Sequence, residues 1–275
     1  MACMVRVLKD GDLQTVDYSA ESLADAVRHE PHDGVYTVSN TYNTFQTLKL
    51  DDHLDRLQDS AVQVGISLTL DRPQIKSALR RMIAEADYGD VRFRITAARG
   101  SDALIISIEP YQRPPAELVR DGVRVITAPD SARHQARAKT TDWMHQRRRF
   151  TESMPEGVYD VILLDADGRL LEGLGANFYA ILDGTLRTAT EGVLAGIAQR
   201  VVFAVASDVL PVVGHPVHIS DVVHLSEAFI TSSSRGIIPV VQIDGHTVGA
   251  GVPGRKTRAL HQLYRAWVDA HLETL

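Results

Sequence analysis

The sequence lacks the disulfides, long apolar runs and signal peptide that are typical of secreted and membrane proteins. Cys3 is the one cysteine among 275 residues, so no internal disulfide can form, as is usual in a reducing compartment. No stretch approaches the ~18 consecutive apolar residues of a membrane span. The segment Met1 to Asp10 has mixed charge and does not resemble a signal peptide. We therefore expect a soluble, cytoplasmic protein.

An excess of positive charge is also absent. The net charge is −6, which argues against a nucleic-acid-binding protein held by bulk electrostatics, and we expect Arg147-Arg148-Arg149 to be a solvated helix face. His53-Leu54-Asp55 lacks the spacing of a helical metal site, so no metal is predicted. What the chain does have is 44% hydrophobic and 23% charged residues. This composition predicts a large core in two modest domains or one large domain.

The first third of the chain alternates between strand and helix patterns. Val35 to Tyr42 is rich in β-branched and aromatic residues, and a turn near Asn43 makes it the first half of a predicted hairpin. Asp71 precedes Arg72-Pro73 and fits the N-cap of a helix. The predicted elements are strands at 35–42 and 45–50, helices opening at Asp52 and Asp71, and strands at 91–97 and 103–109.

Two prolines, Pro114-Pro115, interrupt this pattern and mark a linker. We therefore predict two domains, 1–115 and 116–275, of the mixed α/β or α+β class. In the second block the predicted strands are 123–128, 161–165, 177–182, 227–232 and 240–243, and the predicted helices are 142–152, 196–209 and 254–275.

Two residues are candidates for covalent and acid–base chemistry. Lys139 lies among small residues, which leave room for a cofactor ring, although a surface lysine is the ordinary alternative. Glu172 lies between Leu171 and the glycine-rich turn Gly173-Leu174-Gly175. A buried carboxylate needs a partner, and a protonated pyridine nitrogen would serve; the alternative is a solvated turn residue.

Three further features suit a phosphate. Gly196-Ile197-Ala198 begins a predicted helix, whose first amides and dipole favour an anion. The hydroxyls of Thr231-Ser232-Ser233-Ser234 follow an apolar strand, and Arg56 lies on the helix that opens at Asp52. Each feature alone has an ordinary alternative: any helix start, a polar loop, or a surface arginine.

The order and spacing of these features are far more specific than any one of them. The series is His53-Leu54-Asp55-Arg56-Leu57, Lys139-Thr140, Glu172-Gly173-x-Gly175-x-Asn177-Phe178, Asp183-Gly184-x-Leu186-x-Thr188, Leu194-x-Gly196-Ile197 and Phe229-x-Thr231-Ser232-x-x-x-Gly236-x-x-Pro239-Val240. It resembles the class IV (fold type IV) aminotransferases, which depend on pyridoxal 5′-phosphate (PLP). That family includes branched-chain and D-amino-acid aminotransferases, (R)-selective amine transaminases and aminodeoxychorismate lyases.

The resemblance implies a small N-terminal α/β domain, a larger C-terminal pseudo-barrel domain with PLP in the cleft between them, and a homodimer. Lys139 looks like the Schiff-base lysine and proton shuttle, Glu172 like the partner of the pyridine nitrogen, and Arg56 like the phosphate-binding arginine. The expected cofactor-binding residues are Arg56, Lys139, Glu172, Asn177, Ile197, Ala198, Ser232 and Ser233.

The sequence departs from the family pattern at three positions. Thr37 stands where many relatives have an acidic residue, and Ala198 where many have threonine. Trp143 lies near the place of a tyrosine that branched-chain members use. The last difference argues mildly against an ordinary branched-chain enzyme.

The substrate pocket is expected along the first hairpin and the strand at 91–97. The candidate substrate-binding residues are Tyr36, Val38, Asn40, Arg92, Arg94, Arg99 and Arg137, although any of the arginines could instead form a structural salt bridge. We expect a transaminase that moves an amino group from a D-amino acid or (R)-amine to a 2-oxo acid. The alternatives are an L-branched-chain aminotransferase, an aminodeoxychorismate lyase and a non-catalytic binding protein.

Overall fold

The computed structural model describes residues 3–275, which form a mixed α/β protein. The strands are β1 (Met4–Lys9), β2 (Asp12–Thr15), β3 (Gly34–Tyr42), β4 (Gln46–Leu48), β5 (Val91–Ala98), β6 (Leu104–Pro110), β7 (Val123–Ala128), β8 (Asp160–Leu164), β9 (Leu170–Gly173), β10 (Ala176–Leu182), β11 (Thr185–Arg187), β12 (Val212–Val213), β13 (Glu227–Ser232), β14 (Gly236–Ile243), β15 (His246–Thr247) and β16 (Leu272–Thr274). The α-helices are α1 (Leu23–Ala26), α2 (Leu50–Gln63), α3 (Arg72–Ala86), α4 (Ala116–Asp121), α5 (Thr141–Gln146), α6 (Arg148–Glu152), α7 (Ile197–Ala206) and α8 (Arg255–Ala270), and short 3-10 helices cover Val27–His29 and Ile219–His224.

The chain divides into two compact units. The first comprises the chain up to Gln112 together with Ala138–Gln146 and His271–Leu275, and the second comprises Arg113–Arg137 and Arg147–Ala270. The first boundary between the units, between Gln112 and Arg113, lies close to the predicted linker. The segments 138–146 and 271–275, which the prediction assigned to the second domain, group with the first unit because Thr140 bridges to Val35 and β16 pairs with β4.

The first unit contains a seven-stranded sheet in the order β16-β4-β3-β5-β6-β1-β2, in which every pairing is antiparallel. One face packs against α2 and α3, whose apolar residues recur at helical spacing. Asp71 caps α3 as predicted, since its carboxylate accepts from the backbone N–H of Gln74 at 3.0 Å. Leu54, Leu79, Phe93 and Ile106 lie fully buried between these helices and the sheet.

The opposite face of this sheet carries a buried ion pair. Arg94 on β5 lies against Glu30, with Nε donating to Oε1 at 2.9 Å and Nη1 donating to the carbonyl of Leu23 at 2.8 Å. The two side chains are 4% and 2% exposed. Because neither charge has ready access to water, each depends on the other, and the pair fastens the 23–30 segment onto the sheet.

The second unit contains a nine-stranded sheet, part of which closes on itself. β9 pairs with both β8 and β10, so the strands β9-β10-β13-β14-β7-β8 form a ring of six. The ring agrees with the pseudo-barrel that the resemblance implies. A cluster that includes Ile162, Phe178, Ile230 and Ile238 fills one face of these strands.

Several predicted elements differ from those in the structure. The predicted helix 142–152 is broken at Arg147, because α5 belongs to the first unit and α6 to the second. Leu170–Gly173 is a strand, so Glu172 lies on β9 and only Leu174-Gly175 form the turn. The terminal helix ends at Ala270, and the chain then returns as β16. None of the helices in residues 3–275 is long and apolar enough to cross a membrane.

The Arg94–Glu30 pair gives a stability prediction. We expect Arg94→Met to lower the free energy of unfolding by about 3–5 kcal/mol, because it leaves the Glu30 carboxylate buried without its counter-charge. The matched control is Arg92→Met on the same strand: Arg92 is 41% exposed and lies 3.4 Å from Glu109, so its loss should cost no more than about 1 kcal/mol. Urea unfolding measures both, and equal losses would contradict the prediction.

Candidate active site

Lys139 is held in the first unit by its backbone. Its carbonyl accepts from the N–H of Tyr36 at 3.0 Å, and its own N–H donates to Oγ of Ser60 at 3.1 Å. The Nζ atom lies 4.7 Å from the centre of the Tyr36 ring, in cation–π range. Tyr36 is itself 1% exposed. The amine therefore lies over a fixed aromatic face of β3.

Arg56 belongs to the same network. It lies on α2, is 6% exposed, and donates from Nη2 to Oγ1 of Thr37 at 3.3 Å. Thr37 Oγ1 also lies 2.9 Å from Nδ1 of His53. Ser60 donates to the carbonyl of Arg56 at 2.7 Å while it accepts from Lys139. The structure therefore brings Arg56 and Lys139 together in one unit through Ser60, a residue that sequence reasoning missed.

The candidates Glu172 and Asn177 share one face of the second unit's sheet with Thr231. Glu172 on β9 is directly opposite Asn177 on β10, and Asn177 is directly opposite Thr231 on β13. Directly opposed residues of antiparallel strands point to the same side. All three are buried, with exposures of 5%, 6% and 1%.

Glu172 and Asn177 together fix the chain that leads into α7. Oε2 of Glu172 accepts from the N–H of Leu194 at 3.2 Å, and Nδ2 of Asn177 donates to the Leu194 carbonyl at 2.9 Å. A Cβ atom at Gly196 would overlap with Oδ1 of Asn177, so this close approach requires glycine. Ile197 and Ala198 then supply the first backbone N–H groups of α7, which have no acceptor within the helix.

Ser232 and Ser233 follow at the end of β13 and are half-buried. Arg235 donates from Nε to Ser232 Oγ at 2.9 Å and from Nη2 to the carbonyl of Gly175 at 3.1 Å. Arg235 thereby orients the serine hydroxyl. Burial raises the pKa of Tyr179, whose hydroxyl is 3.3 Å from Oγ1 of Thr231, so this phenol stays neutral.

Arg133 is the second residue that sequence reasoning missed. Its Nε donates to Oε1 of Glu172 at 2.8 Å, and the side chains of the pair are 4% and 6% exposed. Its Nη2 donates to the carbonyl of Ala136. The sequence signal was indirect: a buried Glu172 needs a positive partner, but no spacing rule identifies an arginine 39 residues away.

The candidate substrate residues of β3 and β5 face the same way. In the antiparallel register Val38 is opposite Arg94 and Asn40 is opposite Arg92, which places all four on the face that carries Tyr36. Val38 packs near Tyr36, and Asn40 is fully buried.

The candidate arginines differ in what they contact. Arg94 is paired with Glu30, and Arg92 lies near Glu109. Arg99 donates to Asp33 at 2.6 Å and to the carbonyls of Gly65 and Val64. Arg137 is exposed. The guanidinium groups of Arg94 and Arg99 are therefore engaged within the first unit.

The chemistry of these groups fits PLP. The first unit holds an amine and a buried guanidinium, which suit an aldehyde and a phosphate. The second unit holds a buried carboxylate, a helix N-terminus and strand-end hydroxyls, which suit a ring nitrogen and a phosphate.

Comparison with known proteins agrees with this fit. The family model for the class IV amino-transferases matches residues 34–243. A D-alanine aminotransferase from Bacillus licheniformis is 27% identical over 269 residues, covering 92% of this chain and 94% of that protein. A putative branched-chain-amino-acid aminotransferase from Methanocaldococcus jannaschii is 26% identical over 250 residues, covering 85% and 86%.

Solved structures show the same fold. A branched-chain aminotransferase from the archaeon Thermoproteus uzoniensis, crystallised with norvaline, superposes with a TM-score of 0.78 at 22% identity, covering 100% of this chain and 99% of that one. A branched-chain amino acid aminotransferase with pyridoxamine 5′-phosphate superposes with a TM-score of 0.84 at 18% identity and the same coverage. Because the family model spans most of the chain and contains both Lys139 and Glu172, the protein belongs to the class IV aminotransferases and is a PLP-dependent enzyme.

Proposed function

We propose that the protein transfers an amino group from a D-amino acid or (R)-amine to a 2-oxo acid, with Lys139 as its catalytic base and acid. The observation that carries this proposal is the Lys139 amine lying over Tyr36 in the network that also contains Arg56. The similarity to D-alanine aminotransferases supports the choice of donor. The absence of a tyrosine near Trp143 supports it further.

Different residues of this chain are assigned to the phosphate and to the ring of PLP. Arg56, the N–H groups of Ile197 and Ala198, and the hydroxyls of Ser232 and Ser233 hold the phosphate, and Asn177 keeps the start of α7 in place. Glu172 would accept a hydrogen bond from the ring nitrogen of bound PLP. When bound, PLP supplies a ring that withdraws electrons from the substrate Cα.

Lys139 moves the proton. When PLP is bound, the Nζ of Lys139 would hold the cofactor, and the substrate amine would take that place. The freed amine would then take the proton from the substrate Cα as general base, and the resulting ammonium would return it as general acid. Water would release the first oxo product, and a 2-oxo acid would take the amino group when the same steps run in reverse. As the family resemblance implies, we also propose that the enzyme works as a cytoplasmic homodimer.

Two other activities remain as alternatives. An L-branched-chain aminotransferase is favoured by relatives from Methanocaldococcus jannaschii and Pseudomonas aeruginosa with 26% and 25% identity. An aminodeoxychorismate lyase would use the same lysine and cofactor but eliminate pyruvate.

Removing the lysine amine tests the core of the proposal. We expect Lys139→Ala to lose the visible absorbance of lysine-bound PLP and to lower turnover by at least the ~10²–10⁴-fold that proton transfer contributes. Lys9→Ala, which removes an exposed lysine of the same unit, should retain both signals. A yellow, active Lys139→Ala protein would refute the assignment.

The start of α7 gives a prediction about cofactor affinity. We expect Gly196→Ala to weaken PLP binding by about 10- to 100-fold, because the added methyl group displaces the Asn177 side chain, which holds Leu194, and misaligns N–H groups that would donate to a charged phosphate. The control is Gly89→Ala: Gly89 has open space around it and a φ of +71°, so stability should fall while PLP affinity stays. Equal affinities for the two variants, measured by fluorescence titration, would contradict this account.

A panel of single-turnover reactions decides between the donors. We expect D-alanine, D-glutamate or (R)-1-phenylethylamine to discharge the visible absorbance faster than L-leucine or L-glutamate. Faster reaction with L-leucine would transfer the assignment to the branched-chain alternative. Release of pyruvate from aminodeoxychorismate without an added 2-oxo acid would identify the lyase.

A further inference from the structure

The second unit buries an ion pair between Arg133 and Glu172. Nε of Arg133 lies 2.8 Å from Oε1 of Glu172, and the side chains are 4% and 6% exposed. An arginine keeps its proton at any physiological pH, so this is a permanent positive charge beside the carboxylate. A solvated surface pair would have little influence on its surroundings, whereas a pair excluded from water acts strongly on any charge nearby.

Both oxygens of Glu172 have donors in the second unit. Oε1 accepts from Arg133, and Oε2 accepts from the N–H of Leu194 at 3.2 Å. A carboxylate has about four lone-pair sites, so each oxygen can accept a further hydrogen bond without releasing the first. The carboxylate is therefore held in one orientation while still able to receive the N–H of a ring.

We propose that Arg133 is the positioning residue of the cofactor ring: it acts through Glu172, holding that carboxylate ionised and oriented and sharing its negative charge with the pyridine nitrogen. This inference rests on the proposed role of Glu172 as the partner of that nitrogen. A carboxylate that serves two positive groups stabilises each less than one that serves a single group. The ring nitrogen therefore holds its proton less firmly than it would beside Glu172 alone.

A second contact extends the role of Arg133. Its Nη2 donates to the carbonyl of Ala136, three residues before Lys139 in the sequence. The guanidinium thus fixes the segment that precedes the lysine as well as the carboxylate. A lysine at position 133 would preserve the charge but not this forked geometry.

The experiment reads the protonation of the ring nitrogen directly. The protein is loaded with PLP labelled with ¹⁵N in the ring, and the ¹⁵N chemical shift is recorded at one pH for the wild type, Arg133→Met, Arg133→Lys, Glu172→Gln and the Arg133→Met/Glu172→Gln double variant. We expect Arg133→Met to move the resonance upfield, toward the protonated ring. Arg133→Lys should stay near the wild type because it preserves the charge. In the Glu172→Gln background, Arg133→Met should produce no further shift, since the effect passes through the carboxylate.

The outcomes separate this inference from the proposed role of Glu172. A Glu172→Gln spectrum identical to that of the wild type would refute the role of Glu172 itself. A shift in Glu172→Gln together with an unchanged Arg133→Met spectrum would overturn the inference about Arg133 alone. So would an equal shift on removing Arg133 in both backgrounds, which a purely structural arginine would give. If Arg133→Met does not fold, Arg133→Gln is the second neutral variant, and the same outcomes apply to it.

Discussion

Burial of the Glu172 carboxylate is the constraint on which the second unit depends. A charged group that is 5% exposed must be compensated, and Glu172 is compensated by Arg133 and by the backbone N–H of Leu194. These two contacts fasten the segment before Lys139 and the segment before α7 to one strand, β9. One carboxylate therefore organises parts of the chain that are far apart in sequence.

In the first unit, a hydroxyl joins segments that are far apart in sequence. Ser60 on α2 donates to the backbone carbonyl of Arg56 and accepts from the backbone N–H of Lys139, so one hydroxyl joins the main chains of these two residues. Thr37 also accepts a hydrogen bond from Arg56.

The local elements were largely predictable from the sequence. The hairpin of β3 and β4, the capped helix α3 and the strand β13 follow from β-branched runs, turn residues and helical spacing, which act over a few residues. The predictions were wrong where contacts with a distant part of the chain determine the local structure. The helix 142–152 breaks because its halves belong to different units, and Glu172 lies on a strand because β8 and β10 pair with it on both sides.

The sequence by itself determined the family, through the order and spacing of Arg56, Lys139, Glu172 and the motifs that follow them. It also identified the side chains that we propose to carry the chemistry. Only the tertiary structure decided what each of them contacts: that Arg94 is paired with Glu30, and that Glu172 is paired with Arg133. The reason is physical, since the partner of a buried charge is set by which segments meet in space and not by their separation along the chain.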